Sequence, residues 1–426
     1  MDKTDVLIIG GGAVGVCAAF YLREAGYEVT LVDRGEIGSG ASHGNMGLVV
    51  PSHSVPLAAP GVVSQGLKWM FRPDSPFYIK PRLDPSLVRW LWAFWRASSE
   101  GRMRRAIPLI RDLSLRSLTL FDELNGLDGV DFDYHQRGVV AVYRTREGLE
   151  EGQEERHLLS SYGLEIDALT PDGLAEALPG LELNALGGLH FRQDAHLTPG
   201  KFVRSLADHV ERLGVTVRTQ AEVKGFTNEK GRITVTHTTR GDIAAGEVVL
   251  TAGSWSAALG ELAGVQLPIQ PAKGYSVTLR RPSGWPETPF MLSESRVAVT
   301  PMGDTLRIGG TLELAGMDQT INQRRVAAIL NAVPRYLPDF DIGSYEILET
   351  WCGLRPCTPD GLPFLGRVPD FSNLAVAAGH AMIGVSLGPV TGKLVRRIIV
   401  GERADEQADS DLDVDLDLLA VDRFAD

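Results

Sequence analysis

Cysteine is scarce in this sequence: Cys17, Cys352 and Cys357 are the three among 426 residues. An odd number of cysteines without C-x-x-C spacing argues against a disulfide framework and against a zinc site. We therefore expect no bound metal, three small apolar side chains and a reducing compartment, the cytoplasm.

An excess of positive charge is also missing. The formal net charge is −12, which argues against nucleic acid as a partner. Ten acidic residues and two arginines lie in Glu402–Asp426, so this tail carries −8 and the remaining chain about −4. The alternation of acidic and apolar residues there fits a docked tail, an edge strand or a solvated segment.

No uncharged apolar run is long enough to span a membrane. Val6–Leu22 has 17 residues, four of them glycine, whereas a span needs about 20 apolar residues. The preceding Met1–Thr4 lacks the basic start of a signal peptide. This segment therefore requires another explanation.

The same segment fits the beginning of a nucleotide-binding fold. Asp5–Ile9 is typical of a buried parallel strand, and Val14–Ala25 of a helix that ends at Gly26. Glu28–Val32 is typical of a second strand, closed by Asp33. Strand, helix, strand and acid in this order predict a dinucleotide site.

Three glycines occupy the turn between the first strand and the helix. Gly10 allows the tight turn, Gly12 lets the backbone approach a pyrophosphate, and Gly15 lets the helix pack closely on the strand. The helix N-terminus offers N–H groups to phosphates. Asp33, 18 residues past Gly15, can accept both ribose hydroxyls.

NAD and FAD share this half of the site, so other residues must distinguish them. Arg34–Pro51 is a long glycine-rich segment without helical periodicity. Its many backbone N–H groups suit the extended body of FAD, although a surface loop is the alternative. A colourless purified protein would favour an NAD-dependent dehydrogenase instead.

Seven further segments carry a resemblance to a known family: "GASHGNMGLVVPSHSVPLAAPGV" (40–62), "LKWMFRPDSPFYIKP" (67–81), "DAHLTPGKFVRSLA" (194–207), "VVLTAGSWS" (248–256), "PAKGYSVT" (271–278), "GLRPCTPDGLPFLG" (353–366) and "GHAMIGVSLGPVTGKLV" (379–395). With the N-terminal fingerprint, they resemble the FAD-dependent amine and amino-acid oxidoreductases of the D-amino-acid oxidase (DAO) superfamily. Within it, the bacterial D-amino-acid dehydrogenases are most similar.

The resemblance implies an α/β fold in which a doubly wound, Rossmann-like FAD-binding domain is interleaved with a substrate domain that contains a mixed or antiparallel sheet and helices. The expected FAD-binding segments are 1–55, 196–268 and 346–402. The substrate domain would comprise 56–195 and 269–345, and 403–426 would form the acidic C-terminal tail.

The resemblance also assigns cofactor contacts. It implies that Val223 meets the adenine through its backbone, that Ala252 and Gly253 pass the pyrophosphate, and that a last turn approaches the flavin ring before a helix over Pro389–Val400. Flavin attachment would be non-covalent, because Cys352 and Cys357 do not lie in the context of covalently attached relatives. The full set of expected cofactor-binding residues is Gly10, Gly12, Ala13, Val14, Gly15, Asp33, Arg34, Gly40, Ala41, Ser42, Asn45, Met46, Gly47, Val223, Ala252, Gly253, Gly379, His380, Met382, Ile383 and Gly384.

Arg355 is the expected anchor for a substrate carboxylate. It lies in "WCGLRPCTPDG", between a tryptophan and Pro356, and its guanidinium matches a carboxylate with two parallel hydrogen bonds. Oxidases of this superfamily place an arginine in a similar motif. The alternative is a structural ion pair with an acid such as Asp360.

Tyr275, His53 and His380 complete the expected catalytic set. The hydroxyl of Tyr275 would share the substrate carboxylate, and the two imidazoles lie where they would tune the charge of the substrate. The alternatives are a sheet-packing tyrosine and two hydrogen-bonded structural histidines. Hydride transfer from a neutral amine requires no base from the protein.

The implied reaction is oxidation of D-amino acids, or of cyclic imino acids such as D-proline or hydroxyproline, through hydride transfer from Cα to flavin N5, followed by hydrolysis of the imine. The alternatives are a sarcosine- or glycine-type oxidase that uses oxygen, and a non-catalytic flavin-binding subunit. The resemblance favours a quinone or dye-like acceptor over oxygen.

An aromatic-rich stretch at Gly61–Ser99 contains four of the seven tryptophans. Within "LVRWLWAFWRASSEGRMRR" (87–105), aromatic residues lie beside a basic end. This pattern fits a peripheral contact with the inner face of the cell membrane or a helix packed over the active site.

Overall fold

A computed structural model of the chain describes residues 1–61, 77–401 and 414–425. Trp69, Phe71, most of the family segment 67–81 and part of the acidic tail, 402–413, lie outside the described residues.

The described helices are α1 Ala13–Glu24, α2 Pro85–Ala97, α3 Glu100–Asn125, α4 Arg146–Ser161, α5 Pro171–Ala177, α6 Pro199–Arg212, α7 Ser256–Ala263, α8 Gln323–Tyr336 and α9 Gly388–Val400. The described strands are β1 Asp2–Ile9, β2 Val29–Val32, β3 Leu48–Val49, β4 Phe77–Ile79, β5 Val139–Tyr143, β6 Ile166–Leu169, β7 Gly187–Phe191, β8 Ala195–His196, β9 Thr216–Arg218, β10 Val223–Asn228, β11 Ile233–Thr238, β12 Gly241–Leu250, β13 Gln270–Arg280, β14 Phe290–Leu292, β15 Val297–Met302, β16 Thr305–Leu314, β17 Ile347–Cys357, β18 Phe364–Arg367 and β19 Leu374–Ala378.

The first sheet has eight described strands and a parallel centre. β1 pairs in parallel with β2 and β12, and β9 and β19 extend the parallel part on either side. Strands of such a sheet are buried on both faces, so they are continuously apolar; Val6–Ile8 is fully buried. This is the doubly wound arrangement that the sequence predicts.

The helices α1 and α9 cover one face of this sheet, where they pack against each other. The face of α1 is small and apolar, and Gly392 of α9 lies so close to it that a Cβ would be 2.6 Å from the carbonyl carbon of Cys17. The close packing of α9 on α1 brings the N-termini of both helices to the carboxyl edge of the parallel strands.

The second sheet has nine described strands, mostly antiparallel, in the order β17-β13-β16-β15-β14-β5-β7-β6, with β4 beside β16. β14–β5 and β16–β4 are its parallel pairs, so the sheet is mixed, as expected. Tyr336 and Val333 of α8 belong to the core on one face of this sheet. The opposite face of β17, β13, β16 and β15 lines a cavity.

One domain boundary differs from the prediction. β17 was expected in the FAD-binding segment 346–402, but it pairs with β13 over Gln270–Leu279 and belongs to the second sheet. β13 begins 77 residues before β17, so no local sequence pattern could assign β17 to the second sheet. The remaining boundaries stay a prediction.

β1 begins at Asp2, three residues before the predicted strand Asp5–Ile9. The helix α3 contains Pro108. Gly303 (φ +59°) turns the chain between β15 and β16, which form an antiparallel hairpin.

No described helix combines the length and the hydropathy that crossing a bilayer requires.

Candidate functional site

A cavity of about 830 Å³ runs from the carboxyl edge of the parallel sheet to the second sheet. Eighteen of the 21 residues predicted to bind the cofactor line it, and so do all four predicted catalytic residues. Gly15, Gly47 and Gly379 lie behind the wall, where each admits a close approach of its neighbours. The residues predicted from the sequence thus lie together around one cavity, and their roles stay predictions.

Gly10 and Gly15 are fixed by the turn at the end of β1. Gly10 has φ +116°, and a Cβ there would lie 2.7 Å from the carbonyl carbon of Thr251. A Cβ at Gly15 would lie 1.9 Å from the carbonyl oxygen of Gly10. Thr251, which the sequence analysis missed, donates from Oγ1 to that oxygen at 2.8 Å. Larger residues would move the helix N-terminus away from the cavity.

Asp33 lies at the end of β2 beside this turn. Its Oδ2 accepts the N–H of Gly11 at 2.7 Å and its Oδ1 accepts the N–H of Gly35 at 2.8 Å. A carboxylate has about four lone-pair sites, so both oxygens retain capacity for ribose hydroxyls. The guanidinium of Arg34 lies 3.8 Å over the ring of Trp255 at the same end of the cavity.

The loop after Asp33 is held against α1 and against the last turn. Ser42 accepts the N–H of Ala13 at 3.1 Å. Asn45 accepts the N–H of Gly47 at 2.8 Å and donates to the carbonyl of Met382 at 3.3 Å. The predicted flavin-lining loop is therefore built into the cavity wall and does not form a free surface loop.

Arg307 positions this loop, and the sequence analysis missed it. The side chain is buried, and its Nη1 donates to the carbonyls of His43 at 2.7 Å and Asn45 at 2.9 Å. Burial lowers the pKa of Arg307 to about 10. An arginine in the middle of an apolar strand was the available signal, because such a charge must have partners.

Arg355 lies on the cavity face of the second sheet. Its Nη1 donates to the carbonyl of Thr311 at 2.7 Å, and a Cβ at Gly274 would lie only 2.1 Å from that nitrogen. Burial lowers its pKa. The alternative partner, Asp360, instead accepts from Arg423 at 2.8 Å, so Arg355 keeps donors for a ligand.

The side chain of Tyr275 does not lie on the same face of the second sheet as Arg355. Residues paired across an antiparallel ladder share a face, and alternate residues face opposite sides. Gly274 pairs with Gly353, two residues before Arg355, so Tyr275 faces the other side. Its hydroxyl donates to the buried Glu313 at 2.8 Å. This placement corrects the expectation that it shares a carboxylate with Arg355 and agrees with the sheet-packing alternative.

His380 has a structural environment. Its Nε2 shares a hydrogen bond of 3.0 Å with Oγ1 of Thr391 on α9, and the residue is buried. Burial lowers its pKa to about 4. This imidazole is neutral at physiological pH and holds the last turn, Gly379–Gly384, against the helix.

His53 differs, since among the described residues none bonds to its buried Nδ1. Burial and the positive charge of Arg296 lower its pKa to about 4. Asp194 fixes the turn that carries it by accepting the N–H of Ser52 at 3.1 Å and its hydroxyl at 2.5 Å. His53 thus presents a neutral imidazole to the cavity.

The two ends of the cavity differ in charge. The carboxylates that line it, Asp33 and Glu222, belong to the end formed by β2 and β10. At the second sheet, the charged residues in its wall are Arg355 and Arg296. This end suits an anion, and it disfavours an ammonium group.

The wall fits a long dinucleotide cofactor. At one end, the first turn of α1 leaves N–H groups without intrahelical partners, directly beside the glycine turn and Asp33. At the other end, Gly44, Gly353 and Trp351 meet so closely that a Cβ at Gly44 would lie 2.0 Å from the indole. Trp351 was also missed, because strand pairing alone brings it to this wall.

Comparisons with known proteins agree with this geometry. The model of the DAO family, described as "FAD dependent oxidoreductase", matches residues 5–398. A protein named D-amino acid dehydrogenase from Xanthobacter autotrophicus is 34% identical over 94% of this chain and 96% of its own. One with the same name from Bradyrhizobium diazoefficiens is 32% identical over 99% of both chains.

Solved structures share the fold. Glycine oxidase from Geobacillus kaustophilus superposes with a TM-score of 0.79 at 25% identity, over 99% of both chains. L-proline dehydrogenase from P. horikoshii has a TM-score of 0.74 at 20% identity, over 99% of this chain and 98% of its own.

Proposed function

The chain belongs to the DAO family of FAD-dependent oxidoreductases, and from this premise we propose that it oxidises D-amino acids, or cyclic imino acids such as D-proline or hydroxyproline. One observation carries the proposal: the guanidinium of Arg355, a half-buried residue, lines a cavity whose other end has a dinucleotide fingerprint.

The glycine turn, Asp33 and the loop over Ser42–Met46 would hold FAD without a covalent bond. The three thiols support this mode, because Cys17, Cys352 and Cys357 are buried and none of them lines the cavity. When bound, FAD supplies an acceptor for the hydride of the substrate Cα–H.

Arg355 orients the substrate. A guanidinium has five N–H donors, and the carbonyl of Thr311 uses one side of it. The remaining donors can bind a carboxylate in a bidentate manner. A carboxylate fixed in this way leaves the Cα–H one defined direction, which is the contribution of positioning to the rate.

The charges at this end favour a neutral amine. Two guanidinium groups and the neutral imidazole of His53 line it, and an ammonium beside them would lose its proton more readily than in water. Loss of the hydride from Cα and of a proton from nitrogen leaves an imine, which water hydrolyses to a 2-oxo acid and ammonia.

Anaerobic mixing tests the proposal. The protein purified with FAD is mixed with D- and L-amino acids, prolines, glycine and sarcosine, and the flavin absorbance is followed. We expect D-amino acids or D-prolines to bleach it. Bleaching by glycine and sarcosine alone, followed by peroxide release in air, would indicate the amine-oxidase alternative. An unchanged spectrum with every compound would indicate a non-catalytic subunit.

We further propose that the electron acceptor is a quinone reached at the inner face of the cell membrane. Trp92 and Trp95 on α2 are 59% and 57% exposed, with stacked rings 5.1 Å apart. Arg89 and Arg96 are exposed on the same helix. Aromatic and basic residues together favour an anionic bilayer surface.

Vesicle sedimentation checks this contact. Binding of the protein to vesicles that contain anionic lipid would support the contact. Oxidation of the reduced flavin by a water-soluble quinone analogue would support the acceptor. The double variant Trp92→Ser and Trp95→Ser should lose vesicle binding and retain flavin reduction by substrate. Equal sedimentation of both proteins would contradict the contact.

A further inference from the structure

Arg296 places a second guanidinium in the substrate end of the cavity. It comes directly before β15 and lies in the left-handed region, with φ 52° and ψ 42°. An arginine seldom adopts this conformation, which glycine or asparagine adopts at lower cost. An unfavourable backbone conformation at a cavity wall is typical of a functional position.

Arg296 lines the cavity directly before β15. Within β15, Ala298 pairs with Gly309, and both line the same cavity. Three small residues, Gly274, Gly309 and Ala298, also line the cavity here; the Arg355 guanidinium lies over Gly274 and the Met46 sulfur over Gly309.

Arg296 is an exposed residue at the cavity wall. None of the ion pairs formed by the described residues includes it, although the charge of Glu155 attracts it. Its other electrostatic neighbours are the neutral groups of His53 and Tyr143. Two guanidinium groups in one substrate site match two anionic groups, and a simple amino acid brings one carboxylate.

We infer that Arg296 is a specificity-determining residue that binds a carboxylate on the substrate side chain, so that dicarboxylic D-amino acids are preferred. The inference rests on the proposed function and names the substrate class of the same site. Arg355 bonds to Thr311 of β16, and Arg296 directly precedes the neighbouring strand β15. Because adjacent strands are about 5 Å apart, two carboxylates joined through a short side chain can reach both groups.

Paired substrates of equal size test the inference. Reductive rates of the FAD-loaded protein are compared for D-glutamate against D-glutamine and for D-aspartate against D-asparagine. We expect the acidic member of each pair to have the higher kcat/KM. Arg296→Asn, which tolerates the left-handed backbone, should lower the ratio of kcat/KM for each acid to kcat/KM for its amide about 10- to 100-fold.

Two further variants control for charge and for folding. Arg296→Lys should restore part of the preference for the acids. Arg280→Asn removes an exposed arginine from the far end of β13 and should leave every ratio unchanged.

Binding without turnover gives a second measurement. Glutarate and butyrate lack an amine, and their binding is followed through the fluorescence of the protein and the flavin spectrum. Glutarate should bind more tightly than butyrate, and Arg296→Asn should remove the difference.

Two results would overturn the inference while the proposed function stands: D-glutamine is oxidised as well as D-glutamate, or Arg296→Asn lowers both equally. Failure of every D-amino acid, neutral or acidic, to reduce the flavin would overturn the proposed function and this inference with it.

Discussion

At the scale of single residues, the orientation of Arg355 depends on one hydrogen bond and on one glycine. Arg355 is held by the carbonyl of Thr311 and by the absence of a side chain at Gly274. Sequence reasoning predicted Arg355 from its motif. The two features that orient it come from other strands, which no motif around residue 355 reveals.

Replacement of Arg355 tests its role as anchor. In Arg355→Ala we expect kcat/KM for D-amino acids to fall about 100- to 1,000-fold, mainly through KM, because a charged bidentate contact is lost. FAD should remain bound, as the flavin absorbance of the purified variant will show.

Gly274→Ala offers a matched test without loss of charge. Its Cβ would displace the guanidinium by steric overlap, so we expect a similar rise in KM. Normal kinetics in both variants would remove Arg355 from the substrate site.

His380 makes stability depend on pH. Its pKa of about 4 in the folded protein lies below the ordinary value of 6.5, so the unfolded chain binds more protons between these values. Its contribution is complete above about pH 6.5 and is lost as the pH falls toward 4. From pH 7 to pH 5 we expect a loss of about 2 kcal/mol in the free energy of unfolding.

Denaturant titrations of the wild type and His380→Gln at both pH values measure this effect. The variant lacks the titrating imidazole. Between pH 7 and pH 5 its free energy of unfolding should therefore fall by about 2 kcal/mol less than that of the wild type. Asp194, with a raised pKa of about 7, acts in the opposite direction in both proteins and cancels in the comparison. Identical pH dependence of the two proteins would contradict the assignment.

At the scale of elements, the end of the chain is docked in its described part. Leu419 is buried against the first sheet, and Arg423 bonds to Asp360 and to the carbonyl of Leu362. Phe424 packs edge-on against Phe364. Of the three alternatives open from the sequence, Val414–Ala425 follows the docked one, because apolar residues among the acids find a groove beside β18.

Arg423→Ala should destabilise the protein. The variant leaves the carboxylate of Asp360 half-buried without its partner, which costs about 2–4 kcal/mol. Thermal unfolding measures the loss, and Asp360→Asn in the same background should recover part of it. Since Gly361 lines the cavity, we also expect weaker substrate binding; an unchanged melting temperature would refute the docking.

At the scale of the whole molecule, the cavity lies between the two sheets, and its wall contains residues from Ile9 to Val385. A ligand that fills it contacts both sheets simultaneously. FAD should therefore raise the free energy of unfolding of both sheets together, and by more than a ligand that contacts one sheet.

Removal and return of FAD tests this. Binding raises the free energy of unfolding with the logarithm of the ratio of free FAD concentration to Kd. The increase is about 2.7 kcal/mol when the free FAD concentration is one hundred times Kd. We expect one cooperative transition, at higher temperature with FAD, when calorimetry is done at increasing FAD concentrations. Gly15→Ala should abolish the dependence. A transition that splits, with one part insensitive to FAD, would contradict the coupling.

The sequence by itself determined the dinucleotide edge, since strand, glycine turn, helix and acid are contiguous within residues 5–33 and their spacing alone sets their geometry. It also indicated Arg355 and the mixed second sheet. Only the tertiary structure decided that Tyr275 and Arg355 leave opposite faces of the second sheet, that Arg307 holds the loop at His43 and Asn45, and that Arg296 and Arg355 line the same cavity. The physical reason is register: a side chain's face depends on pairing between strands far apart in the chain, and a shift of one residue would reverse it.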